Sequence, residues 1–156
     1  MKRFRGDFIA GSLFALSVML FIWMMAMPIR KSYLFTLDSG DRILVTCDTE
    51  RGRYVFRGSD EGFEVQDEQG DVLAKGKFSY DTSFGFYKDQ AQLVAAEVIK
   101  DTESEVMYVI GEEKPRTVRA FQVAGTGTLI VIESSCDRNL ARSAAESVTA
   151  QAEGVD

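Results

Sequence analysis

Histidine is absent from the 156 residues. That removes Ser-His-Asp and Cys-His nucleophilic sites, histidine-containing zinc sites and a histidine pH switch. Cysteine occurs twice, at Cys47 and Cys136, too few for a Cys₄ zinc site. Two cysteines match one Cys47–Cys136 disulfide outside the cytoplasm, and they match two buried thiols equally well. Positive charge is also short: residues 32–156 hold 13 basic against 23 acidic residues, a net of −10. A domain of that charge is repelled by phosphate backbones and anionic headgroups, which argues against nucleic-acid binding and against a lipid-surface function.

What the chain does have is an uncharged apolar run from Phe8 to Met27. As a helix, 20 such residues rise about 30 Å, the thickness of a bilayer's hydrocarbon core. A cleaved signal peptide has a shorter apolar stretch and a small-x-small exit, whereas this run leaves through Met24-Met25-Ala26-Met27-Pro28. No polar face marks it as a soluble core helix. The expectation is a permanent single-pass anchor over residues 8–28, preceded by a basic segment, 1–7. Lys2, Arg3 and Arg5 precede the run, while Arg30 and Lys31 follow it. The positive-inside bias then puts the amino terminus in the cytoplasm and the domain outside, at the cell membrane. Gly11 and Ala15, four residues apart, form a small-xxx-small pair on which two anchors could pack into a homo-oligomer.

Residues 32–135 read as strands and turns. Strands are expected near 33–37, 42–47, 54–57, 63–66, 72–80, 93–99, 105–110, 117–123 and 128–133. Asp38-Ser39-Gly40-Asp41, Arg51-Gly52-Arg53, Gln69-Gly70-Asp71 and Gly125-Thr126-Gly127 supply turns. Short links favour antiparallel hairpins. Residues 88–100 carry helix formers as well, and fit a helix leading into the next strand. Val72, Ala74, Gly76, Phe78 and Tyr80 share one face of a half-buried strand, but 106–110 and 129–132 are apolar on both faces and need a second layer. Leu140, Ala141, Ala144, Ala145 and Val148 recur at helical spacing after Asp137, a good N-cap, with Gly154 as the stop. A helix and tail over 136–156 would cover the sheet. The fold class is therefore α+β: a transmembrane helix, then a mainly antiparallel sheet backed by a carboxy-terminal helix, with an all-β sandwich as the alternative.

Two local resemblances bear on function. Ile43-Leu44-Val45-Thr46-Cys47-Asp48, with Arg51 and Arg53 downstream, resembles the sortase strand that ends in the nucleophilic cysteine. Sortases also carry an amino-terminal anchor and a β-rich domain. The resemblance implies a reactive Cys47, but the chain lacks the histidine base, and only the anchor and two short strands precede the cysteine. Ile43, Val45 and Cys47 read instead as one apolar strand face. Lys2, Arg3, Arg5 and Gly6 ahead of an apolar helix are similar to a prepilin leader. Asp7 and Gly11 depart from it, where an apolar residue and a glutamate are usual.

The remaining chemistry is thin. No Ser-x-x-Lys pair is present, and Gly125-Thr126-Gly127 lacks the lysine of a phosphate loop. Asp60-Glu61, Glu64, Asp67-Glu68, Asp71 and Asp101 to Glu105 fall in or beside expected turns and lack calcium-loop spacing, so solvated hairpin tips are expected. Carboxylates of this kind leave a glycosidase or other hydrolase as the second reading, and a small-ligand sensor as the third. Tyr80, Phe84, Phe86 and Tyr87 form an aromatic cluster that is either core or a partner surface. The first reading is a non-enzymatic binding or assembly domain without cofactor or metal. Other envelope proteins would be its partners, in the manner of an accessory subunit.

Overall fold

The computed structural model describes residues 14–22, 29–59 and 61–154. Residues 14–22 are helical and exposed; among the described residues no helix is long and apolar enough to cross a membrane. Ala15 lies in that helical stretch, while Gly11, the basic segment and the remainder of the expected anchor lie outside the described residues.

From Arg30 onward the chain is mostly antiparallel sheet. Strand β1 (Arg30–Thr36) turns at Gly40 into β2 (Arg42–Asp48). There follow β3 (Val55–Ser59), β4 (Gly62–Gln66), β5 (Val72–Ser79), helix α1 (Phe84–Val94), β6 (Ala95–Asp101), β7 (Glu105–Ile110), β8 (Arg116–Gln122), β9 (Leu129–Ser134), helix α2 (Arg138–Glu146) and β10 (Val148–Ala152). Every expected strand appears, and 88–100 resolves as the end of α1 running straight into β6. The single sheet expected from the sequence is in fact two. One has the order β1-β2-β10, the other β3-β4-β5-β9-β8-β7-β6, and every pairing is antiparallel.

The two faces of the long sheet are covered differently. On one face, Phe63, Val65, Ala74, Met107, Phe121, Ile130 and Ile132 pack with Ile43, Val45 and Cys47 of β2, Val148 of β10, and Ala144 and Ala145 of α2. On the other, Val106, Tyr108, Val118, Ala120, Leu129 and Val131 pack beneath Ala91, Phe84 and Tyr87 of α1. The doubly apolar strands β7 and β9 thus have cover on both sides, as their composition demands. The cover differs from the expectation, because α1 supplies one layer whereas α2 shares the other with the short sheet.

Aromatic rings join the sheets. Phe35 of β1 lies 4.9 Å from Phe78 of β5, and Tyr33 lies 5.3 Å from Phe56 of β3, ring centre to ring centre. Gly76 makes room for this cluster. It stands opposite Phe63 in the β4–β5 register, and a β-carbon there would fall 2.0 Å from the Phe63 ring.

The carboxy-terminal helix begins as the sequence predicts: the Asp137 carboxylate accepts from the Asn139 and Leu140 amides. It ends earlier than expected. Val148 belongs to β10 and pairs with Cys47, so the 136–156 segment is a helix followed by a strand rather than a helix and tail. Val148 and Thr149 are β-branched and suit a strand better than a helix. Pairing with β2 takes up the Thr149 backbone, while the Val148 carbonyl accepts from Arg119 and its side chain is completely buried.

Candidate binding surface

The long sheet carries one continuous transverse row: Arg57, Glu64, Lys75, Glu133, Val118, Tyr108 and Val98, each opposite the next in register. Directly opposed residues share a face. The row therefore changes character midway across the sheet. Its first four members alternate in charge, whereas Val118 and Tyr108 are apolar and lie beneath α1. Lys75 Nζ sits 3.0 Å from Glu64, and Lys77 and Arg116 both reach Glu133 at 3.5 Å. The Lys75 hydrogen bond, helped by Gln66, holds the Glu64 carboxyl below its usual range. Glu64, Lys75, Lys77 and Glu133 line an open groove of about 480 Å³, with Glu61, Ser59, Gly62 and Ser134 around it. Four of its five charged side chains are paired, Glu64 with Lys75 and Glu133 with Lys77.

Beyond the charged half, α1 presents two sides. Phe84, Tyr87 and Ala91 face the sheet. Phe86 and Leu93, seven residues apart, share the outward side, at 49% and 79% exposure. Val94 and, on the strand that continues the helix, Val98 are exposed too. The aromatic cluster read from the sequence is split accordingly. Phe84 and Tyr87 are half-buried against the core, while Tyr80 and Phe86 are exposed. Burial, with the charges of Asp38 and Asp41 beside it, raises the Tyr80 hydroxyl. Leu93, Val94 and Val98 are not among the residues that the sequence pattern singles out. The signal there was the seven-residue spacing of Phe86 and Leu93, which only a settled helix at 84–94 makes meaningful.

Cys47 and Cys136 are both free thiols. The disulfide option is not taken up: Cys47 lies 3.4 Å from the Ser147 hydroxyl, whereas Cys136 contacts Ser134 and the Leu73 carbonyl. Cys47 is fully buried. Burial raises its thiol pKa, with Asp48 and Glu50 adding to the rise and the Ser147 hydrogen bond opposing it. A nucleophilic cysteine needs the reverse, an accessible thiolate beside a cation. Cys47 is instead the core-facing residue of β2 beside Ile43 and Val45.

The acidic clusters divide in role. Asp67 holds a turn, accepting from the Gln69 and Asp71 amides. Glu105 corrects the expectation of solvated tips, since it points inward to the buried Arg119, with Nε 2.7 Å away. Burial acts to raise the Glu105 carboxyl, but hydrogen bonds from Lys100 and Arg119 outweigh it, and the net shift is downward. Arg119 itself donates through Nη1 to the Ala145 carbonyl (2.6 Å) and the Val148 carbonyl (2.7 Å), and lies over the Phe121 ring. Its position between β8 and the end of α2 makes it a structural cation. Among the described residues, no group of three or more Cys, Asp or Glu side chains is placed to hold a metal ion.

No protein-family model, no curated relative and no solved structure matches the chain.

Proposed function

We propose that the chain is a membrane-anchored, non-enzymatic domain that binds another protein of the cell envelope through the outward side of α1 and the adjoining β6. In this reading residues 8–28 form the single-pass anchor, the amino terminus is cytoplasmic, and the acidic domain stands outside, close to the bilayer. The observation that carries the reading is the set of large apolar side chains Phe86, Leu93, Val94 and Val98 exposed on neighbouring elements of a strongly acidic domain. Aromatic and aliphatic anchors of this kind are what protein partners bury. The carboxylates with displaced pKa, Glu64 and Glu105, are held down by cations, the opposite of what a general acid requires.

The test is a photoreactive side chain at Leu93 in native membranes, with Lys75 on the charged half of the sheet as the comparison site. An adduct from Leu93 that disappears with Phe86→Glu supports the reading. A chain that stays alone at Leu93 while folded removes it. Protease accessibility on intact cells checks the orientation separately: digestion without lysis places the domain outside, and protection until the membrane is opened turns it inward.

A further inference from the structure

The free edges of the two sheets are not equivalent. In the long sheet, β6 is interrupted by two register shifts against β7 and carries Glu97, Lys100 and Asp101, features that blunt a strand edge. The opposite edge, β3, is short, and Tyr33 and Phe35 press against it at Gly58. In the short sheet, β10 has five residues. Strand β1 has seven, pairs with β2 without any irregularity, and among the described residues no strand pairs with its outer side. Six of its seven residues are exposed.

Its unpaired groups can be assigned. At one end the Thr49 amide donates to the Ile29 carbonyl, and at the other the Leu37 amide donates to the Asp41 carbonyl. Hydrogen-bonded pairs alternate along an antiparallel ladder, so the odd-numbered residues from 29 to 37 spend their backbone groups on β2. The outward N–H and C=O groups therefore belong to Arg30, Ser32, Leu34 and Thr36.

We propose that β1 pairs antiparallel with β1 of a second copy of this chain, in a register centred on Leu34. The sequence of the strand is self-complementary in that register. Leu34 meets its own copy, Ser32 meets Thr36, and Arg30 meets Asp38 at both ends, giving two symmetric opposite-charge pairs. On the other face Tyr33 meets Phe35, an aromatic cross-strand pair. The Leu34 pair and the two Ser32–Thr36 pairs are those whose outward N–H and C=O groups face each other, so each exchanges both backbone bonds, whereas Asp38, in the turn that follows β1, contributes only its charge. A two-fold axis perpendicular to the sheet satisfies the arrangement and keeps both core faces on one side. Leu34, 42% exposed beside Leu44 on a face that otherwise carries Arg30, Ser32, Thr36 and Thr46, is covered by it.

The experiment uses the full chain in detergent and in vesicles. Leu34→Pro removes an outward N–H without touching the β2 ladder, and the expected result is a fall from twice the chain mass to the single mass in light scattering. Leu34→Cys in a Cys136→Ser background tests the register independently, whatever Leu34→Pro does to folding. Symmetry-related α-carbons at Leu34 stand about 5.5 Å apart in such a pair, within reach of a short bismaleimide. Thr36→Cys, about 14 Å from its own copy, is not linked. A wild-type chain of single mass, a dimer that survives Leu34→Pro, or equal linking from both cysteine positions overturns the proposal; survival would place the contact outside β1.

Discussion

Arg119 Nη1 lies 2.6 Å from the Ala145 carbonyl oxygen, so a buried cation in the middle of the long sheet closes the last turn of the carboxy-terminal helix. The same nitrogen takes the Val148 carbonyl, which fixes the point where helix becomes strand. Orphan carbonyls and the negative end of the helix dipole both favour a cation there.

Removing that cation leaves the Val148 carbonyl without its partner and Glu105 with Lys100 alone. Arg119→Ala is expected to cost about 3–5 kcal/mol, the usual loss when one member of a buried ion pair is deleted. Urea unfolding of the purified chain measures it. A loss below about 1 kcal/mol, the level of an exposed pair, shows that the pair contributes no more than a surface one.

The same pair sets a pH dependence. The folded pKa of Glu105 lies below its unfolded value, so its contribution is complete above about pH 4.3 and is lost as pH falls through the folded value. Glu105→Gln is expected to flatten the stability profile in that acidic window relative to wild type. Urea midpoints collected from pH 6 downward read the difference, and parallel profiles for the two proteins refute it.

Gly76 and Phe63 are expected to be coupled. A β-carbon at position 76 meets the Phe63 ring, so Gly76→Ala should cost about 1–3 kcal/mol through overpacking. In a Phe63→Leu background most of that cost disappears, because the obstructing ring is gone. A double-mutant cycle gives the coupling directly, and additive effects contradict the assigned contact.

The two thiols should react at different rates. Cys136 is half-buried and accessible to a thiol reagent in the folded chain, whereas Cys47 is sealed within the core and its thiol is shifted upward. Cys136→Ser is expected to leave a protein whose remaining thiol reacts only on unfolding. Rapid modification of Cys47 in that variant would return it to the list of candidate nucleophiles.

The sequence by itself located every strand from β1 to β9, the Asp137 cap and the need for cover on both faces of β7 and β9. These follow from local alternation, turn residues and capping chemistry, which neighbouring residues carry among themselves. Which element covers which face was decided by the tertiary structure, because an apolar strand face demands a layer without specifying whether helix or sheet supplies it. Val148 shows the limit most clearly. Its spacing continues the helical stripe, yet β2 offers a ladder and Arg119 takes the carbonyls at the helix end from 26 and 29 residues away. Such long-range partners leave no periodic trace in the chain. The same holds for Phe86 and Leu93, whose exposure depends on which side of α1 meets the sheet.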